Sequence, residues 1–222
     1  MKSIRIAALA GLVAASAAQA QVVGVGDSSA TWLGYMNVFN LPGDGGAFQF
    51  GSPWGTNDLN SSFNDGAHTL TLSPNTIGDP NPYWYIGGGG PGQAGNKIME
   101  ANLYQETTGV YVGTNLTFQG FVMTNSFTAA HSTIAFIKDF ASDYSSFTTT
   151  SVALTPGAFS ITLATSADAG HHIQFGFQTT GVNVWFTDTA PFGNAVITTI
   201  PTPGALCLLG LGGLVATRRR RA

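Results

Sequence analysis

Residues 159–163 read Phe159-Ser160-Ile161-Thr162-Leu163, and this pattern is the clearest indication of the fold. Apolar and polar side chains alternate there, so a β-strand would place the three apolar side chains on one face and the two hydroxyls on the other. The same period of two recurs over residues 173–178 and 182–187. This alternation is typical of antiparallel sheets that have one face in a core and the other in water.

Further short runs of β-branched and aromatic residues lie on both sides of this stretch. Clusters of Gly, Pro, Asn and Asp separate them, and a helical period is nearly absent. We expect strands near residues 31–39, 46–50, 59–63, 67–72, 83–86, 97–106, 115–125, 131–138, 158–164, 172–179 and 182–188. The sequence therefore predicts an all-β fold, a single antiparallel β-sandwich over residues 21–189, followed by a linker at residues 190–200.

The N-terminus has the features of a secretion signal. Lys2 and Arg5 precede an apolar run at residues 6–15, and Ala18-Gln19-Ala20 is a small-x-small cleavage pattern. The apolar run is too short for a permanent anchor. We expect residues 1–20 to be a signal peptide, recognised by the secretion machinery and cut by signal peptidase before Gln21.

The C-terminus combines a proline motif, an apolar segment and a basic end. Pro201, Thr202 and Pro203 precede the uncharged residues 204–217, and the basic end consists of Arg218, Arg219, Arg220 and Arg221. A helix over the apolar segment would be about 21 Å long, which is short for a bilayer core of about 30 Å. The arginines should stay cytoplasmic, so the body is expected outside the cytoplasmic membrane.

This order of features at residues 201–222 resembles the bacterial PEP-CTERM sorting signal. The resemblance implies processing by an exosortase-type transpeptidase near the motif at residues 201–203, with residues 204–217 as a short transmembrane helix and 218–221 as the basic tail. The protein would be anchored transiently or stably and then reach the cell surface or the extracellular space. Thr202 stands where the family usually has Glu, and an ordinary tail anchor with a basic flank is the alternative.

The charge of the body excludes some partners. Eleven acidic residues against Lys97 and Lys138 give residues 21–200 a formal net charge of −9. Such a body should repel nucleic acid and anionic lipid. Cys207, the single cysteine, lies in the apolar tail, so no disulfide framework holds the body.

The order of features after Gly95 is similar to that of carbohydrate-binding modules with a jelly-roll fold. The matching segments are residues 96–107, 115–125, 134–139, 144–150, 173–179 and 182–188. The resemblance implies a jelly-roll-like sandwich with a sugar-binding surface. A calcium ion held by Asp188 and loop carbonyls would suit this fold, but the sequence does not indicate one, and we expect no cofactor.

Motifs for catalysis are absent from the sequence. Glu100 and Glu106 lie six residues apart on one expected strand, about 20 Å, whereas a glycosidase needs carboxyls about 5–9.5 Å apart. Asp139, Asp143, Asp168 and Asp188 are interpreted as turn or strand-end residues. The four histidines, which show no metal-binding or catalytic spacing, are His68, His131, His171 and His172.

Aromatic side chains are the remaining candidates for a binding site. Their flat faces can stack on sugar rings, although large aromatics are usually well buried. The candidates are Trp54, Tyr83, Trp84, Tyr85 and Trp185.

Three hypotheses follow from the sequence. The first is a non-enzymatic envelope or matrix protein that contacts carbohydrate. The second is an exported polysaccharide hydrolase on a jelly-roll scaffold, and the third is a structural surface protein that associates with itself.

Overall fold

A computed structural model describes residues 20–200 of the chain. The strands are β1 (Ala20–Val23), β2 (Leu33–Asn40), β3 (Phe48–Trp54), β4 (Ser61–Asn64), β5 (Thr69–Leu72), β6 (Lys97–Thr108), β7 (Asn115–Asn125), β8 (His131–Phe140), β9 (Phe147–Ala153), β10 (Gly157–Ala164), β11 (His172–Val182) and β12 (Ala195–Thr198). Within this part of the chain the helical structure is limited to short 3₁₀ turns, and no helix is long and apolar enough to cross a membrane. The expected sorting signal and the expected signal peptide up to residue 19 lie outside the described residues.

The strands form two sheets of six. The front sheet has the order β3-β2-β6-β11-β8-β9, and all its pairs are antiparallel. In the back sheet β4, β5, β12 and β7 follow one another, and β10 pairs with the other edge of β7. β1 is the exception to the antiparallel pattern, because it runs parallel to residues 115–118 of β7.

The two sheets meet through a cluster of phenylalanines. The ring of Phe118 on β7 lies 5.6 Å from Phe175 and 5.4 Å from Phe177, both on β11, and 5.4 Å from Phe159 on β10. All four rings are buried. The alternation in the sequence predicted Phe159, Phe175 and Phe177 on inward faces, and the structure confirms this. The described chain is a β-sandwich.

The expected linker is wrong, because residues 190–200 contain a strand of the back sheet. β12 lies between β5 and β7 and pairs with both. Ala195 and Ile197 on this strand are completely buried. Because β12 has only four residues, its alternation is too short to distinguish it from an irregular segment by sequence alone. The sandwich therefore extends at least to Thr198.

Two expected strands are also wrong. Residues 83–86 form a turn with a single bridge between Tyr85 and Gly95. The expected strand at 182–188 does not form, because β11 runs on to Val182 and the chain then turns, with the Asp188 N–H bonded to the Trp185 carbonyl at 2.8 Å. β1 and β9 were not among the expected strands.

The position of β12 leads to a stability prediction. Replacing Ile197 by Ala should lower the free energy of unfolding by about 2–5 kcal/mol, since it leaves a cavity between the sheets. Val196 points the other way and is only half-buried, so Val196→Ala should cost clearly less. Urea denaturation of both variants would test this, and equal losses would contradict the placement of β12.

Candidate functional site

The outer face of the front sheet carries a groove of about 600 Å³. We call it the outer groove. Side chains from β2, β3, β6, β8, β9, β11 and the loop after β8 line it. They are Tyr35, Asn37, Pro53, Glu100, Asn102, Tyr104, Glu106, Lys138, Phe140, Tyr144, Phe147 and Gln174.

β6 supplies the floor of the outer groove. Alternation along this strand places Glu100, Asn102, Tyr104 and Glu106 on the same face. Asn102 is only 4% exposed and Tyr104 only 8%, and Gln174 on neighbouring β11 is 7% exposed. Polar side chains on the outer face of a sheet are ordinarily hydrated, so their burial means that the surrounding side chains enclose the floor.

Gly176 on β11 lies beside the floor residue Tyr104. In the register of the sheet it lies between Tyr104 on β6 and Phe136 on β8. A Cβ at this position would collide with the carbonyl oxygen of Leu103. Only glycine fits so close to β6, and the floor has no side chain of its own there.

Glu106 is held at one end of the outer groove by two donors. The Tyr144 hydroxyl donates to its Oε1 at 3.0 Å, and the Gln174 amide donates to its Oε2 at 2.6 Å. The Tyr144 ring stacks on His172 with centroids 4.3 Å apart. Partial desolvation of the hydroxyl, together with the hydrogen bond to Glu106 and its charge, raises the pKa of Tyr144 to about 12. Tyr144 therefore remains a neutral donor over the physiological range.

Glu100 and Lys138 lie further along the outer groove. The Asn37 amide donates to Glu100 Oε1 at 2.9 Å. Lys138 Nζ donates to Asn102 Oδ1 at 3.2 Å and lies 4.4 Å from the ring centroid of the buried Phe136. Burial lowers the pKa of Lys138, and the charge of Glu100 opposes this shift. The groove thus carries two carboxylates and one amine.

The outer groove can bind hydroxyl-rich ligands in two ways. Carboxylate and amide groups offer acceptors and donors, and exposed ring surface is present at Tyr144, 49% exposed, and Phe147, 52% exposed. Glu100 and Glu106 are six residues apart on β6, about 20 Å along the strand. This separation does not suit a pair of glycosidase carboxyls, which lie about 5–9.5 Å apart.

The aromatic candidates from the sequence lie outside the outer groove. Tyr85 is completely buried, with its hydroxyl close to the carbonyl oxygens of Ile77 and Val184. It has no free face for a sugar, so this candidate is wrong.

The other candidates are divided between two places. Tyr83 and Trp84 pack edge to face, with centroids 4.8 Å apart, and Trp185 packs against Tyr85 at 5.4 Å. Trp84, Trp185 and Trp54 are half-buried against the core. Trp54, at the end of β3, is apart from this cluster and lies next to the groove residue Pro53.

The histidines do not form a metal site. His171 and His172 have different partners: His171 Nδ1 lies 2.6 Å from Asp139 Oδ1, whereas the His172 ring stacks on Tyr144. His131 is buried, and its Nε2 lies 3.0 Å from the Val182 carbonyl oxygen. Between residues 20 and 200, no group of three or more His, Cys, Asp or Glu side chains could hold a metal ion.

Comparisons with protein-family models, curated proteins and solved structures found no match to this chain.

Sequence reasoning missed the outer groove, although one signal pointed to it. Alternation in β6 places two glutamates, an asparagine and a tyrosine on one face, opposite the apolar Met99, Ala101 and Leu103. The partners Asn37, Lys138 and Gln174 come from three other strands. Their convergence depends on strand order, which this sequence does not specify.

Buried His131 leads to a prediction about pH. Burial lowers its pKa from the ordinary 6.5, while the bond to Val182 partly opposes the shift. As the pH falls, His131 is therefore protonated at a higher pH in the unfolded chain than in the folded protein. Protonation then favours the unfolded chain, so the protein is less stable below pH 6.5. The free energy of unfolding should therefore decrease as the pH falls, and the part of this decrease that is due to His131 should disappear in His131→Gln.

The matched control is His68→Gln, because His68 is exposed. Chemical denaturation from neutral pH to about pH 5 would measure both variants. A pH dependence unchanged in His131→Gln, or removed equally in His68→Gln, would contradict the assignment.

Proposed function

We propose that this chain is an exported envelope or matrix protein that binds polysaccharide in the outer groove without a catalytic step. The observation that carries the proposal is the enclosed polar floor, where Asn102, Gln174 and Tyr104 are each more than nine-tenths buried on an outward face. The floor amides bond to the side chains above them, since Lys138 donates to Asn102 and Gln174 donates to Glu106. This support holds Lys138 and Glu106 in fixed orientations for a ligand.

The fixed orientation of the groove side chains supports binding of carbohydrate. Glu106 is positioned by Tyr144 and Gln174, and Lys138 is positioned by Asn102. A ligand that meets oriented groups loses less free energy to their ordering. A few polar groups placed beside aromatic surface are typical of small-molecule sites, and a sugar offers hydroxyls to the first and C–H faces to the second.

Charge narrows the class of polysaccharide. The groove has two carboxylates against one amine, and residues 21–200 carry a formal net charge of −9. A uronic-acid polymer would be repelled at low ionic strength. We therefore propose a neutral polysaccharide as the ligand.

The proposal also includes export of the protein and its sorting to the cell envelope. The signal at residues 1–20 and the PEP-CTERM-like tail at 201–222 support passage through the secretion machinery, signal peptidase and an exosortase-type transpeptidase. The β-rich body, with two facing sheets, is compatible with a jelly-roll-like arrangement of the kind found in carbohydrate-binding modules. In this proposal the tail delivers the groove to the cell surface or the surrounding matrix.

Of the two alternatives, neither has an observation of its own in the described residues. A hydrolase would need a closer carboxyl pair than Glu100 and Glu106. Phe147 on the edge strand β9 is 52% exposed, but it also lines the outer groove, so its exposure does not favour self-association over ligand binding.

A single substitution tests whether the ligand binds in the outer groove or at the aromatic cluster that the sequence predicted. Tyr144→Ala removes an exposed ring and the hydroxyl that holds Glu106, and we expect about a tenfold loss of affinity, equivalent to about 1.4 kcal/mol. The measurement is a pull-down with neutral polymers (β-glucan, mannan and chitin) and a polyuronate, followed by titration of the polymer that binds.

The matched control is Tyr83→Ala, which removes a tyrosine of similar exposure, 38%, in the other cluster. The proposal expects affinity to be kept in this control and no binding to the polyuronate. Loss of binding in Tyr83→Ala with normal binding in Tyr144→Ala would transfer the site to the sequence-predicted cluster. Absence of binding to every polymer would overturn the proposed function.

A further inference from the structure

A second depression lies beside the outer groove, on the other side of Pro53. It has a volume of about 550 Å³. Pro53 lines both cavities. The two are therefore adjoining, and a single extended molecule could pass over Pro53 from one into the other. We call the second depression the Trp54 pocket.

The Trp54 pocket has an aromatic wall of fixed orientation. Trp54 ends β3, and its ring is partly buried against the core. Its indole N–H donates to the Ser52 hydroxyl at 3.0 Å. The nitrogen is thus already bonded within the protein, and the ring contributes apolar surface to the pocket, as a stacking platform requires.

Polar groups also line the Trp54 pocket. Asn57 and Asp58 are exposed on the 3₁₀ turn Thr56–Leu59 and line the pocket. A Cβ on Gly55 would lie 2.9 Å from Asp58 Oδ2, so the absence of a side chain at Gly55 leaves room for this carboxylate. The pocket thus combines an amide and a carboxylate with an aromatic ring, and the outer groove offers the same three kinds of group.

We propose that the Trp54 pocket is a second carbohydrate subsite and that the ligand is a polysaccharide chain lying across Pro53, with different sugar units in the two cavities. This inference rests on the proposed function of the outer groove. It adds that the protein recognises an extended chain and gains affinity with chain length. It also gives Trp54, the candidate next to the groove residue Pro53, a role distinct from that of the buried Tyr85.

The test compares short and long ligands. The probes are oligosaccharides of graded length prepared from β-glucan, mannan and chitin, together with the parent polymers, titrated against the purified protein. We expect Trp54→Ala to lower the affinity for the longest chains about tenfold, equivalent to about 1.4 kcal/mol, and to leave the shortest bound oligosaccharide unaffected. Tyr144→Ala should weaken binding at every length.

Two further variants distinguish the loss of a binding contact from a loss of the folded structure. Trp185→Ala removes another half-buried tryptophan, which lines neither cavity, and should change affinity at no length. The double variant Asn57→Ala, Asp58→Ala alters exposed side chains and should reproduce the loss for long chains. Thermal unfolding of each variant verifies the fold.

The outcomes separate the two proposals. An effect of Trp54→Ala that is equal at all lengths, or absent at all lengths while Tyr144→Ala weakens binding, would overturn the second subsite and leave the outer groove in place. Normal long-chain affinity in the Asn57, Asp58 double variant together with an unfolded Trp54→Ala protein would also overturn it. Failure of the wild-type protein to bind any probe would overturn the proposed function and this inference together.

Discussion

The contact of Phe118 with Phe175 and Phe177 is the interaction on which the rest of the structure depends. It joins β7 of the back sheet to β11 of the front sheet at the centre of the core. Side chains alternate along a strand, so turning Phe175 and Phe177 inward forces Gln174, Gly176 and the other even-numbered residues of β11 outward. The composition of the outer groove follows from this register, because a shift of one residue would exchange the two faces.

Buried amides fix the long segment at residues 73–96 against the sandwich. Asn75 Nδ2 donates to the carbonyls of Met99 at 3.1 Å and Thr179 at 3.0 Å. Asn183 accepts from the Lys97 N–H and donates to the Trp84 carbonyl, both at 2.9 Å. These bonds attach the segment to β6, to β11 and to the chain just after β11. The aromatic residues of this segment are thereby used for packing, which explains why Tyr85 is unavailable to a ligand.

Local patterns in the sequence predicted the class of fold, and non-local pairing decided the site. Alternation at Phe159, Phe175 and Phe177 was sufficient to identify core faces because burial acts on each strand separately. The short strand β12 was missed because its stability comes from partners on both sides and from the burial of Ile197. The outer groove was missed for the same reason, since Glu106 and Gln174 are 68 positions apart in the sequence and meet only through the pairing of β6 with β11.

The most direct test of the account is the NMR perturbation of side-chain amide signals during titration with a neutral polysaccharide fragment. Binding in the outer groove should give the largest changes at Asn102 and Gln174 in its floor and leave Asn75 in the core unchanged. Changes confined to the surroundings of Tyr83 and Trp185, with the signals of Asn102 and Gln174 unmoved, would contradict it.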